Sequence, residues 1–416
     1  MTDDRTRPRI PPEPLGRLFW RYLRFGLLAW GGPVAQIALI RQELVDEKRW
    51  VSASHFNRVL AVYQVLPGPE AHEMCVYFGM LSRGRLGGFL AGLGFMLPGF
   101  VLMLILSALY AAGTRSEALE RVSLGVQPAV AALVVRAVHR IGKHALVDRW
   151  LWTLACVCAV GATLGASFWI LLPLAGLAYF LSRRRPGLAT AVVAVLVAAV
   201  LAVSDPGRLR LWAGWDSGDT SPAVAKGREE VAAAQQPSPL RLFAAGLRSG
   251  LLTFGGAYTV LPFLRHDAVQ VGRWLTDAQF WDGVALSSVL PAPFVIFSTF
   301  VGYLGGGLVG AVLLTAGVFL PAFAFTLLGH RHLERWIGHP GAHGFLDGVT
   351  AGVVGLVAAT ALEVLRGAVD RLEAAAVFAL SLAVLYLWNA KGAVAVVVTA
   401  AGVVGWVWGG RGAGLP

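Results

Sequence analysis

Two short elements, each present twice, carry residue types suited to holding an anion. The first is Phe25-Gly26-Leu27-Leu28-Ala29-Trp30-Gly31-Gly32-Pro33, matched by Leu251-Leu252-Thr253-Phe254-Gly255-Gly256-Ala257. The second is Leu66-Pro67-Gly68-Pro69-Glu70, matched by Leu290-Pro291-Ala292-Pro293-Phe294. Gly and Pro inside apolar segments interrupt the helical hydrogen-bond ladder. Lipid cannot satisfy the freed N–H and C=O groups, so such breaks are buried in protein or line a polar cavity. A helix that restarts after a break offers open amides and a partial positive charge. Glycine lets that backbone approach a ligand closely. Gly and Pro also serve as plain kinks and tight contacts in membrane helices. Four interruptions at matching places favour a binding site. Its candidate residues are Gly31, Gly32, Pro33, Gln36, Pro67, Gly68, Pro69, Glu70, Gly255, Gly256, Pro291 and Pro293.

Ionisable residues near the breaks are the next candidates. Glu70, His72 and Glu73 follow Pro-Gly-Pro and could carry a coupled proton; Glu70 could equally cap the restarted helix. Arg41 follows the first break and matches Arg265; an Arg fork pairs well with a tetrahedral dianion, while helix-flanking arginines also serve simply as anchors. No metal site is expected. Cys75, Cys156 and Cys158 lie in or beside apolar stretches, and two cysteines two residues apart point to different faces of a helix. No cofactor motif, P-loop, HExxH or GxSxG is present, which disfavours an ATP-driven pump or an intramembrane enzyme.

The elements that must position these residues are membrane helices. Of 416 residues 56% are hydrophobic and only 14% charged, and the mean hydropathy is +0.65. A soluble domain carries roughly a quarter charged residues. Runs such as Leu86–Thr114 and Gly283–His330 contain no Asp, Glu, Lys or Arg, and a bilayer core takes about 20 apolar residues per helix. The net charge of +11 sits mainly beside hydrophobic segments, where it orients a membrane protein. No basic patch with interleaved aromatics suggests nucleic acid. No cleavable signal is evident, so the first span is expected to direct its own insertion.

The chain repeats itself. Gly31-Gly32, Trp50, Phe56, Pro67 and Pro69 recur at an offset of 224 as Gly255-Gly256, Trp274, Phe280, Pro291 and Pro293. Gly79, Leu97-Pro98 and Gly125-Val126 recur at 223. The expected organisation is a first repeat over 1–204, a polar linker over 205–239 and a second repeat over 240–416. About thirteen hydrophobic segments are expected: about 18–40, 54–82, 86–110, 123–141, 148–164, 166–182 and 187–203, then about 243–264, 280–303, 306–329, 345–365, 374–389 and 392–409. Crossing once each from a cytoplasmic N-terminus, they place Arg83, Arg140, Arg183, Arg265, Arg331 and Lys391 inside, and Arg41, Lys48 and Arg49 outside. An odd number of crossings before the second copy makes the halves inverted repeats, a common carrier architecture. The fold class is thus an all-α polytopic membrane protein with broken or re-entrant helices; parity must be recounted if 54–82 is a hairpin.

These residues resemble the chromate ion transporter family in its long, two-domain form. The likeness rests on F-G-x-x-A-x-G-G-P-x-A-Q-I, E-K-R-W, L-P-G-P-E-A and L-P-G in the first copy, and T-F-G-G-A-Y-x-V-L-P, W-L-T and F-V-G-Y in the second. It covers nearly the whole chain. The resemblance implies a multi-pass plasma-membrane carrier exporting chromate, with sulfate as a structural mimic, and conferring chromate resistance. Its partners would be a small inorganic oxyanion and the lipid bilayer; a homodimer is left open. An oxyanion channel is the alternative. One departure stands out: Phe294 replaces the acid that Glu70 provides in the first copy.

Overall fold

The structure, a computed structural model, describes residues 10–28, 32–64, 66–113, 117–182, 185–203, 236–254, 257–290, 292–329, 340–369, 371–388 and 393–409. Among them the regular elements are all helical. The chain divides into two compact units.

The larger unit comprises Met1–Leu133, Gln236–Leu333 and Ala368–Pro416. It opens with α1 (Leu15–Leu28) and α2 (Gly32–Arg41), which runs on as a wide turn, Gln42–Glu47. Leu18, Tyr22, Phe25 and Gly26 form the buried stripe of α1, the spacing of a one-sided helix. Gly26 lies on the backbone carbonyl of Phe95, where any side chain would collide. α3 (Ala53–Tyr63) is capped by Ser52, whose hydroxyl accepts the His55 N–H. α4 (Glu70–Gly113) is two helices in sequence. Arg83 and Gly84 leave helical geometry, Gly84 with φ +62°, a conformation glycine adopts freely. The chain reverses there, so that Gly79 faces Gly87 and Ala91. α5 (Glu117–Ala145) starts in this unit.

The same devices return later in this unit. α9 (Pro239–Leu251) buries Leu242, Ala245, Gly246, Ser249 and Gly250, and Gly250 lies on the Val318 carbonyl. A short 3-10 turn, Ala257–Val260, leads to α10 (Leu261–Arg265) and the wide turn His266–Val271. α11 (Asp277–Val289) begins with a full capping box between Thr276 and Gln279. After the 3-10 turn Phe294–Phe297, α12 (Ser298–Ala324) reverses at Gly306 and Gly307, the latter with φ +59°. Arg49 and Arg273 both adopt left-handed backbone, with φ 54° and 53°. All these features recur at the offsets of 224 and 223 seen in the sequence. α14 (Leu372–Leu387) and α15 (Ala393–Gly409) complete the unit, and Gly125 of α5 rests on the Ala401 carbonyl of α15.

The smaller unit, Val134–Gln235 and Glu334–Gly367, holds the end of α5 with α6 (Arg149–Thr163), α7 (Phe168–Ser182), α8 (Pro186–Val203) and α13 (Pro340–Ala368). Small residues let backbones touch, as is usual between helices in lipid: Gly355 lies on the Ala155 carbonyl and Gly348 on that of Ala175. Asp148 caps α6 by accepting the Leu151 N–H and also accepts the Tyr179 hydroxyl at 2.7 Å.

Among the described residues, four stretches are long and apolar enough to cross a membrane: Glu70–Gly113, Leu124–Ala145, Phe294–Gly329 and His343–Ala368. Arg149–Thr163, Phe168–Ser182, Pro186–Leu201, Leu372–Leu387 and Ala393–Val407 are shorter apolar helices. The count of single-crossing segments changes. The segments near 18–40, 54–82, 243–264 and 280–303 double back as helical hairpins. The His55 ring nitrogen Nε2 lies 3.0 Å from the Tyr77 hydroxyl, and the Phe56 ring stacks on Phe78 at 5.8 Å. Residues 22 apart would be about 33 Å apart on one straight helix. Phe280 likewise meets Phe297 at 5.4 Å. In the earlier hairpins Arg24 pairs with Glu43, and Arg248 with Asp267, each pair 19 residues apart. Hydropathy cannot separate a long span from two short apolar legs, which is why the sequence leaves crossings and re-entrant hairpins both open at these segments.

Candidate functional site

In sequence, each of these hairpins carries one of the Gly/Pro breaks between its two legs. Gly31, Gly255, Gly256 and Pro291 fall outside the described residues; the flanking residues define the site. Leu66, Pro67, Gly68, Pro69 and Glu70 are all buried. Gly68 has φ +149°, a region closed to side chains. Its N–H donates to the Thr253 carbonyl at 2.8 Å, joining this tip to the residues just before Gly255-Gly256. A methyl group at Gly68 would lie 3.1 Å from Ala322 Cβ and 3.1 Å from the Glu73 carboxyl. In the reciprocal position, a methyl group at Gly99 would overlap Ala292. Gly68 and Ala292 match at 224; Gly99 and Ala322 match at 223. Each Pro-X-Pro tip thus rests on the opposite copy's proline-kinked helix, beside Pro98 and Pro321.

Beyond Pro69 the helix restarts, with the His72 and Glu73 amides both donating to the Pro69 carbonyl. Its first turn directs backbone N–H groups and the positive end of the helix dipole at the break. Glu73 and His72 are each 0% exposed. Neither Glu73 carboxyl oxygen has a hydrogen-bond partner. The His72 ring sits edge-on to Phe319 and Phe323, with centroids 4.9 and 4.6 Å away, and near Phe95. Its nitrogens lack a partner at bonding geometry, although the ring lies beside the Gly92 backbone.

The matching turn is chemically different. Phe294, Ile296 and Phe297 occupy the places of Glu70, His72 and Glu73 at an offset of 224, and all three are buried. The Phe294 ring lies against Tyr258, tilted by 31° with centroids 4.2 Å apart. Pro293 is buried at the start of this 3-10 turn.

Gln36 lies one turn into α2, buried, with its amide nitrogen unpartnered. Gly32 and Pro33 open that helix. Arg41 is exposed at its other end, about 14 Å along the axis from Gly32. Its counterpart Arg265 donates to Asp277 at 2.7 Å. Among the described residues no Arg or Lys is fully buried. The hydroxyls of Ser249 and Ser298, buried within two turns of the second copy's breaks, also lack partners, and sequence reasoning passed over both. Ser298 stands five residues beyond Pro293, a spacing that could have flagged it.

A separate cavity of about 360 Å³ lies in the larger unit, lined by Tyr110, Asp282, Leu286, Val398 and Trp406 among others. Its walls are mainly apolar, with Thr399 and the Tyr110 hydroxyl donating to Asp282 at 2.7 Å as polar exceptions, which makes it a poor seat for a dianion.

The chromate transporter family model matches the chain over residues 16–181 and again over 240–406. The chain is 53% identical to a chromate transport protein of Pseudomonas aeruginosa, over 98% of this chain and 95% of the relative. It is 29% identical to a chromate transport protein of Cupriavidus metallidurans, over 83% and 82%. An uncharacterized transporter of Methanocaldococcus jannaschii is 26% identical over 78% and 77%. No solved structure matches.

Proposed function

This chain belongs to the chromate transporter family, and from that premise we propose that it is a secondary carrier exporting chromate, or a similar tetrahedral oxyanion such as sulfate, across the plasma membrane. Chromate resistance would follow. The oxyanion binds where the hairpin tips meet, among Gly31, Gly32, Pro33, Gln36, Pro67, Gly68, Pro69, Glu70, Gly255, Gly256, Pro291 and Pro293. The observation that carries the reading is the Gly68 N–H donated to the Thr253 carbonyl, which brings breaks from both copies into one place. Arg41 serves at the entrance rather than at the tips.

The halves over 1–204 and 240–416, joined by the 205–239 linker, are inverted repeats. Treating the hairpins as re-entrant removes two crossings from each half. The first half keeps five, through the 85–113 leg and α5 to α8, so its crossing number stays odd and the second copy still enters upside down. From a cytoplasmic N-terminus, Arg41, Lys48 and Arg49 then lie inside, which suits the positive-inside rule better, while Arg265 and Arg273 move outside. The matched packing of Gly26 and Gly250, and the matched left-handed backbone of Gly84 and Gly307, support duplication.

A dianion leaving a negative-inside cell is driven outward by about 2.3 kcal/mol per charge per 100 mV, so export needs no nucleotide. The test is uptake of labelled chromate into inverted membrane vesicles, with sulfate, molybdate and phosphate as competitors. Saturable uptake that competitors reduce is expected. Absence of chromate uptake overturns the reading, and single-channel currents would replace the carrier with a channel.

A further inference from the structure

The first copy's tip contains a carboxyl group with no apparent structural employment. Glu73 is 0% exposed, both its oxygens are unpartnered, and it packs against Gly68 at the start of a thirteen-residue helix leg, 70–82. Two features set it apart from Glu70: Glu70 keeps a small exposed edge at 8% while Glu73 has none, and the Glu73 carboxyl is the one beside Gly68. It is closer to the break in space, because its carboxyl, one turn on, folds back over Gly68. Its carboxyl and Ala322 of α12 lie at equal distance from a methyl group placed at Gly68, 3.1 Å each. As for Glu70, its counterpart in the second copy is apolar, Phe297 at the offset of 224.

A buried polar group without a partner is costly, and one aimed at an anion-attracting helix end is doubly conspicuous. A carboxylate there competes for the same amides and dipole that would hold an oxyanion. Two like charges cannot share that seat without a large penalty.

We infer, resting on the oxyanion-carrier reading above, that Glu73 is the carrier's proton site: an oxyanion seats at the 70–82 helix end only with Glu73 protonated, so binding takes one proton from water. In the balanced step, Glu73 COO⁻ becomes COOH as the dianion enters, and anion and proton leave together on the far side. One oxyanion and one proton then move a single net negative charge per cycle. The titratable neighbours are Glu70 and His72 on the same leg. The elements packed around this turn present Phe95 of α4, Phe319, Ala322 and Phe323 of α12 and the Thr253 carbonyl, and none of these titrates.

Linkage makes the effect reciprocal: protons tighten anion binding by the factor that the anion tightens proton binding. The test is calorimetric titration of chromate into the full chain in detergent, at alkaline pH where free chromate is itself a dianion. It is run in two buffers of different ionisation enthalpy. Wild type should take up about one proton per anion, and its affinity should fall about tenfold per pH unit in the alkaline range. Glu73→Gln should bind with no proton uptake and with affinity flat in pH. Wild-type heats that yield no proton uptake overturn the inference and leave the oxyanion carrier standing. Proton uptake persisting in Glu73→Gln overturns it too. Should Glu73→Gln fail to fold, the wild-type comparison of the two buffers decides alone. Failure of wild type to bind chromate at all removes the carrier reading and the inference with it.

Discussion

The tips at Pro67-Gly68-Pro69-Glu70 and Pro291-Ala292-Pro293-Phe294 share a setting and differ in chemistry. Each rests against the other copy's kinked helix, and each is followed by a buried turn. The first turn buries Glu70, His72 and Glu73; the second buries Phe294, Ile296 and Phe297. Duplication preserves the features that depend on backbone approach, such as Gly26 on Phe95 and Gly250 on Val318. Side chains that only one site needs are free to diverge. The framework is therefore symmetric while the buried ionisable groups are one-sided.

The sharpest way to break this comparison is at the tips. Gly68→Val should reduce chromate transport by about a hundredfold or more, because φ +149° excludes a side chain and Ala322 and Glu73 leave no room. Ala292→Gly should cost far less, since it only removes a methyl group from Gly99. Vesicle uptake, with insertion checked by membrane fractionation, measures both; equal losses would mean that the two tips do the same work.

Next come the framework contacts, where the halves should behave alike. Gly26→Ala and Gly250→Ala each place a methyl group on a backbone carbonyl, and each should destabilise by about 1–3 kcal/mol. Thermal unfolding in detergent checks this, and a large difference between them would break the symmetry claimed for the framework.

A smaller effect tests the hairpin bases. Arg248 pairs with Asp267, at 3.0 Å through Nε. Burial pushes the Asp267 carboxyl up from its ordinary range while Arg248 pulls it back. Arg248→Ala should destabilise by about 1–2 kcal/mol, the arginine being partly exposed. With the pull removed, the folded state holds the Asp267 proton more tightly than the unfolded chain. Stability should then fall as pH rises above the unfolded carboxyl range, so the loss is greater at neutral than at acid pH. A pH-independent loss would remove Asp267 from that role. The smallest effect is expected from Arg41→Ala, a few-fold at most in chromate uptake, since this side chain lies at the far end of α2; abolished transport would return Arg41 to the binding site.

Much of this was legible in the sequence, and for stated physical reasons. Helicity and lipid exposure follow from charge-free runs, and the breaks announce themselves because Gly and Pro spoil a ladder wherever it is. The hairpins were harder. An apolar stretch such as 54–82 has the same hydropathy whether it crosses or doubles back, and only tertiary contacts such as His55 to Tyr77 separate the two. A sign was nonetheless present: Arg24 with Glu43 and Arg248 with Asp267 repeat opposite charges at one spacing. The roles of Glu70 and Glu73 could not be separated from spacing, because both fall in the first turn of the same helix. Direction in space distinguishes them, and it depends on Gly68 and Ala322, the latter more than two hundred residues away in the chain.

That distance has a consequence for how the protein is made. When the ribosome has completed the first half, Gly68 has neither the Thr253 carbonyl to accept its N–H nor Ala322 to lie against. Gly99 waits in the same way for Ala292. The first tip is therefore finished only after the second copy has been inserted, and the two halves assemble as mutual templates late in synthesis. Halves produced as separate chains should regain transport only when they are present together.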